Sequence, residues 1–156
     1  MTKKFAHIHN HSEFSMLDGL SSIELYVRET KRLGQDAVAI TDHGNMHAVI
    51  ELHNQAKAAG IHPIMGCEFY ATPFGTGYDN KDRKANHMLV LAQNQVGYQN
   101  MLVLTKNSYE FGFYYKPRIT ISDLEKYSEG LIVTSGCMAA HIPTAIQDGN
   151  LAQADS

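Results

Sequence analysis

Apolar positions in this chain fall into short continuous runs separated by stretches with helical spacing. Residues 5–9, 37–41, 64–70, 87–92 and 131–135 are apolar runs of five to seven residues, the length and composition of buried strands. Residues 23–33, 46–59, 96–108 and 139–147 carry helical patterns. Ser21-Ser22-Ile23-Glu24 has the form of a capping box, and Gly34 and Gly60 are helix stops. Ser122-Asp123-Leu124-Glu125 caps a further short helix. Residues 71–86 form a polar loop long enough to suggest a functional role. Strands alternating with helices predict βα units, hence an α/β fold with a mainly parallel sheet. A closed βα barrel needs roughly 250 residues, whereas this chain offers five strands in 156. Residues 151–156 read as the first turn of another helix, cut short. The expectation is therefore an incomplete chain, either deliberately shortened or one piece of a longer protein.

In such folds chemistry collects at the carboxyl ends of the strands. His9 and His11 close the first run as His-x-His, a spacing that puts both rings on one face of an extended strand. Two imidazoles on one face can grip a metal ion. Asp18 follows in a loop, Thr41-Asp42-His43-Gly44 ends the second run, Glu68 the third and Cys137 the fifth. His87 opens its run instead, so either that strand runs the other way or the long loop brings His87 to the rim. Each residue alone has a bland reading. Asp18 before Gly19 is a common turn, Asp42-His43-Gly44 could be a loop turn, and a buried cysteine is usually a small apolar side chain. Glu68 is the exception, because a lone carboxylate in an apolar strand is costly unless paired or coordinating a cation. Asp42 is placed to orient the neighbouring imidazole. Together the set predicts a metal centre on one rim.

Other residues are read as structural. His47, His53 and His62 belong on the surface, His7 packs as a deeper histidine on the His9 face, and His141 lies in the last helix without a ligand partner. Cys67 packs, since Glu68 beside it faces the site. Tyr109, Phe111, Phe113, Tyr114 and Tyr115 could stack bases beside Lys116 and Arg118, or pack on a neighbouring domain.

Composition adds limits. Apolar residues make up 44% and charged residues 19%, ordinary for a globular domain, and the formal net charge of −3 gives no global footprint for nucleic acid. Two cysteines, no secretory segment and no membrane span point to a reducing, cytoplasmic setting. Nine histidines are the outlying count, four of them at the strand edges named above.

These motifs resemble the polymerase and histidinol phosphatase (PHP) family. His9-x-His11, Asp18-Gly19, Thr41-Asp42-His43-Gly44-Asn45, Gly66-Cys67-Glu68, His87 and Ser135-Gly136-Cys137 occur in its order. Gly97-Tyr98-Gln99-Asn100, Lys116-Pro117-Arg118 and Glu129-Gly130-Leu131-Ile132 are similar to the branch that opens bacterial DNA polymerase III alpha subunits. The resemblance spans essentially the whole chain and implies one PHP domain over residues 1–156, a distorted TIM-like βα barrel with a three-metal site at its rim. It implies that His9 and His11 hold one ion. Glu68 bridges that ion to a second, shared with His87 and Cys137, while Asp18 and His43 hold a third. Catalysis would rest on Glu68, His9, His11, Asp18 and His43 through those ions. Cysteine in place of the histidine many members carry favours zinc, with manganese or iron as alternatives. The family's late Asp-x-His motif and the final strands are absent here, so this fragment alone is expected to bind metal weakly and to show little activity.

The implied function is DNA replication, with 3′→5′ proofreading exonuclease action on primer–template DNA beside other replicase subunits and no membrane. Two alternatives are a metal-filled scaffold that docks a separate proofreading subunit and a small-molecule phosphatase of the histidinol phosphatase type.

Overall fold

A computed structural model of the chain describes residues 5–73, 75–81 and 85–155. Helix α1 (Ile23–Arg32) leads to β1 (Ala37–Ile40), α2 (Val49–Ala59) and the long β2 (His62–Ala71). Then come β3 (Asn86–Ala92), α3 (Gln95–Glu110), β4 (Arg118–Ile119), α4 (Ile121–Lys126), β5 (Leu131–Thr134), α5 (His141–Gln147) and α6 (Leu151–Ala154).

The sheet order is β1-β2-β3-β5, with β4 on the end of β2. It is mixed rather than mainly parallel. β2 runs parallel to β1 and β4, while β3 is antiparallel to both β2 and β5. The connection between β2 and β3 is a loop with no helix among its described residues, so the chain returns beside β2 in the opposite sense. This reversal settles the anomaly of His87, since the start of β3 lies level with the end of β2.

The expected first strand, residues 5–9, does not form a regular ladder. It runs extended along β1, with Ala39 N–H donating to His7 O (3.0 Å) and Thr41 N–H to Asn10 O (2.8 Å). The spacing of the two acceptors exceeds that of the two donors by one residue, which marks a bulge. The Asn10 side chain closes the gap by donating to Ala39 O and His7 O. The bulge also overturns the expectation for His7. It is exposed, with its ring edge-on to Phe5 at 4.8 Å, and is not a core histidine. The fifth strand of the set is instead the short β4, too brief to give a period.

Alternation along β2 divides its side chains between two environments. Cys67, Phe69 and Ala71 point into a core built with Val90, Met101, Leu104, Ile119 and Leu124, beneath α3 and α4. Glu68 and Tyr70 point to the other face. A second cluster, Ile23, Val27, Val38, Ile40, Leu52 and Ile61, packs α1 and α2 on β1. Capping is local, and Ser22 rather than Ser21 caps α1 by accepting from Leu25 N–H (3.3 Å). Thr120, not Ser122, caps α4. Gly97 of α3 lies so close to the 129–131 turn that a Cβ there would sit 1.8 Å from Gly130 O. Among the described residues no helix is long and apolar enough to cross a membrane.

Candidate metal centre

Cross-strand pairing explains why distant residues meet. His43, three residues beyond the end of β1, forms a bridge opposite Glu68. On the other side of β2, Tyr70 is paired with His87. Paired residues share a face, so His43, Glu68, Tyr70 and His87 all project to the same side. Glu68 therefore lies inside β2 rather than at its end, because β2 runs on to pair with β4. The 9–11 segment crosses the top of β1 and adds two more imidazoles.

The centre of the arrangement is the Glu68 carboxylate, 1% exposed. Its Oε1 lies 3.4 Å from His9 Nε2 and 3.0 Å from His87 Nδ1. Its Oε2 lies 2.7 Å from His43 Nδ1 and 3.5 Å from His11 Nε2. Asp18, on a turn above, accepts from His43 Nε2 at 2.8 Å and stands 4.0 Å from His11 Nε2. Cys137 Sγ is 3.5 Å from His87 Nδ1. All seven sequence-selected residues are thus brought together.

Three donor triplets overlap: His9–His11–Glu68, His11–Asp18–His43 and His43–Glu68–His87, each with donor atoms within 4.8 Å of one another. At ligand distances of about 2.0–2.3 Å, two donors on one ion are about 3.3–4.6 Å apart, so small side-chain adjustments would draw each triplet onto an ion. The hydrogen bonding supports the same fit. His11 Nδ1, His43 Nδ1 and Glu68 Oε2 are buried with no hydrogen-bond partner among the described residues, although His43 Nδ1 and Oε2 approach closely. Buried polar atoms that face each other without hydrogen-bond alignment are costly unless something else satisfies them, and a cation would do so.

Electrostatics favours the ligand forms. Burial, reinforced by the His43 imidazole, lowers the His11 pKa and keeps that ring neutral. Burial pushes the Glu68 carboxyl up, but its hydrogen bond from His87 and the nearby His87, His43 and His9 rings outweigh this and hold it low. The His43 hydrogen bond lowers Asp18. Burial, with Asp42 and Glu68 nearby, raises Cys67 well above an ordinary thiol, so it remains protonated in the core.

The structure corrects one role and adds others. Asp42 does not hold the His43 ring. It is buried and accepts from Ser12 N–H (2.6 Å), Ser12 Oγ (2.7 Å) and Ser15 Oγ (2.7 Å). Ser15 Oγ in turn accepts from His43 N–H (3.0 Å). This lock positions the turn that carries Asp18. Ser12 and Ser15 gave no sequence signal beyond lying between two ligand motifs. Tyr70 was also missed, and its ring lies 5.9 Å from His43 and 5.2 Å from His87, walling the site. Arg118 is not available beside the aromatic residues of 109–115 for base stacking. It is 1% exposed and donates to Gly112 O and Asn80 O, fastening the aromatic loop. His47, His53 and His62 are exposed, and His141 opens α5 with its ring 3.4 Å from Asn86 Nδ2.

Comparison with known proteins identifies the family. The family model described as the PHP domain matches residues 7–156. A DNA polymerase III subunit alpha from Borreliella burgdorferi is 44% identical over 92% of this chain. One from Treponema pallidum is 42% identical over 97%. The chain spans about 13% of the length of either relative. Among solved structures, a two-domain Bacteroides vulgatus protein containing a predicted PHP-like metal-dependent phosphoesterase superposes with a TM-score of 0.53. That match is 19% identical, covers 93% of this chain and 41% of the other, and establishes a shared fold.

Proposed function

The chain belongs to the PHP domain family, and from that membership we propose that it is the N-terminal PHP domain of a DNA polymerase III alpha subunit and that its metal centre trims 3′ ends of DNA by phosphodiester hydrolysis. Its relatives' names and the near-complete coverage of this chain support the polymerase assignment. The observation that carries the chemistry is the buried Glu68 carboxylate with two imidazoles at each oxygen.

In this reading His9 and His11 hold one divalent ion with Glu68. Glu68, His87 and Cys137 hold a second, and Asp18 and His43, with His11 at hand, a third. Cys137 favours zinc. Clustered ions of this kind activate water and neutralise a phosphate at the point of displacement. The chain's own residues do the rest. Glu68 keeps the donor sets in register, the Asp42–Ser12–Ser15 lock fixes Asp18, and Tyr70 shields one side from bulk water. The two ligands of the family's Asp-x-His motif come, in this proposal, from later sequence in the longer subunit, which acts with DNA and other replicase subunits in the cytoplasm.

A second reading has support from the surface. Met16, Leu17 and Leu20, on the turn that carries Asp18, are fully or nearly fully exposed. Such an apolar turn suits a metal-stabilised scaffold that docks a separate proofreading subunit. The deciding experiment is 3′→5′ trimming of a mismatched primer–template by the full-length subunit with polymerisation disabled, against the same protein carrying Glu68→Ala. Metal-dependent trimming that disappears in the variant establishes the nuclease. If neither protein trims and the variant loses metal and stability, the centre is structural.

A further inference from the structure

The site described above leaves one adjoining feature unused. Between α3 and β4 the chain makes a tight turn in which Tyr114 N–H donates to Lys116 O (3.1 Å). Tyr115 at its tip has φ 62, a left-handed conformation that a non-glycine side chain adopts at a cost. The Tyr115 side chain is nevertheless 61% exposed, as is Phe113 at 57%, so neither is repaid by core burial. Lys116 Nζ lies 4.2 Å from the centre of the Tyr70 ring, the same ring that flanks His43 and His87. Lys81 adds a second cation over Tyr114 at 5.3 Å. A net-acidic chain thus places Lys116 beside its ligand cluster, on a turn that carries exposed rings and, over Tyr114, a second lysine. Arg118 takes no part, since it is buried under the turn and holds it in place.

We infer that this turn is the strand guide of the metal centre: Lys116 takes a backbone phosphate of an unpaired 3′ end, and the exposed rings of Phe113 and Tyr115 take its bases. The inference rests on the phosphodiesterase reading and names its substrate as a single-stranded nucleic-acid end rather than a small phosphomonoester. Lysine suits a phosphate as a mobile point charge, and aromatic faces suit bases of any sequence. The left-handed Tyr115 is explained because the turn aims its ring outward instead of folding it into the core.

The test uses the full-length subunit with polymerisation disabled. Steady-state trimming of a mismatched 3′ end is compared for Lys116→Ala, Lys116→Arg and Tyr115→Gly. Loss of one stacked base or one phosphate contact is expected to raise KM on the order of tenfold, with kcat little changed and bound metal at the unmutated level. Lys116→Arg should recover most of the affinity. Tyr115→Gly relieves the left-handed backbone, and bound metal at the unmutated level checks that the fold is kept. Separately, an oligonucleotide ending in 4-thiothymidine is photocrosslinked and the labelled peptide mapped. A crosslink within 109–118 that weakens in Lys116→Ala supports the guide even if the wild-type protein hydrolyses nothing, in which case the nuclease reading alone fails. Normal KM in all variants, or a crosslink elsewhere while trimming proceeds, overturns the guide and leaves the nuclease reading standing. A turn covered by another domain would give that second result.

Discussion

The Asp42 lock makes a prediction that separates structural support from metal ligation. Its carboxylate is 1% exposed and receives three donors. Two of them, Ser12 N–H and Ser15 Oγ, converge on Oδ1, while Oδ2 receives Ser12 Oγ alone. Asp42→Ala strands a backbone amide and two hydroxyls in a buried site. Hydrogen bonds to a charged group are worth about 1.5–3 kcal/mol each, and they are shared here within one network. The expected cost is therefore roughly 3–5 kcal/mol. Asp42→Asn differs sharply. With its carbonyl at the Oδ1 position it keeps two donors, and its amide can donate to Ser12 Oγ, which rotates to accept. Only the charge is lost, at roughly 1–2 kcal/mol.

The measurement is urea unfolding followed by far-ultraviolet circular dichroism, since the chain has no tryptophan. A chelator removes any contribution from metal. For a chain of this size 1 kcal/mol corresponds to about 2–4 °C in Tm, so the alanine variant should melt roughly 10 °C lower and the asparagine variant a few degrees lower. Hydrogen exchange should accelerate at the amides of Ser15, Asp18 and Gly19, which bond within the turn. Zinc titration should then show a fall of ten- to a hundredfold for alanine, through the freed Asp18, and a small change for asparagine. Equal losses for the two variants, or a loss for alanine below about 1 kcal/mol, would refute the argument that the three donors anchor this turn.

Other expectations follow from single contacts. Glu68→Gln should abolish the zinc-dependent rise in unfolding free energy, about 2.7 kcal/mol at a hundredfold excess over Kd in the unmutated subunit, with bound metal read by mass spectrometry. Cys137→Ser should weaken zinc binding at least tenfold but leave manganese binding nearly unchanged, because only zinc gains from the sulfur beside His87; isothermal titration with each metal distinguishes them. Gly97→Ala would drive a Cβ to 1.8 Å from Gly130 O, so α3 must shift, at roughly 3 kcal/mol or more by denaturant unfolding. Arg118→Ala should cost about 2–4 kcal/mol by leaving the Gly112 and Asn80 carbonyls without their guanidinium donor, and limited proteolysis should then cut within 109–117.

How much of this was legible in the sequence depends on whether the cause is local. Helices α1, α2 and α3 announce themselves by period, cap and stop, and differ from expectation by a few residues at their ends. The ligand-type residues were conspicuous because carboxylates and imidazoles at the edges of apolar runs need a reason. What stayed hidden depends on partners far away in sequence. Strand polarity was assigned from the βα alternation, but nothing within 87–92 states its direction, and the 72–85 connection carries no helix signal to settle it. The bulge between His7 and Asn10 is closed by an asparagine side chain bonding to β1. Arg118 was grouped with Lys116 beside the aromatic residues because its acceptors, Asn80 O and Gly112 O, come from two loops. Asp42 looked like an imidazole holder because chain proximity suggested His43, whereas its donors lie 27 to 30 residues away.

The antiparallel β3 is what makes the centre compact. In an all-parallel sheet each neighbour of β2 would contribute only its carboxyl end, and a residue opening a strand would lie at the far rim. Reversal brings the first residues of β3 beside the last of β2, so His87 pairs with Tyr70 and stands diagonal to Glu68. His43 meets Glu68 from the other side by parallel pairing. One carboxylate is therefore flanked by two strands of opposite sense, and each of its oxygens faces a different pair of rings. β5 repeats the logic, since it is antiparallel to β3 and so delivers Gly136 and Cys137 to the same rim, beside His87. Every ligand-bearing edge then lies on one side of the sheet, with Cys67, Phe69 and Val90 reserved for the core beneath it. A one-residue slip of β2 against β3 would exchange those sets, burying Glu68 in the apolar cluster and presenting Cys67 to the imidazoles. The cost of burying an uncompensated carboxylate makes the register of the sheet and the formation of the ligand cluster a single event.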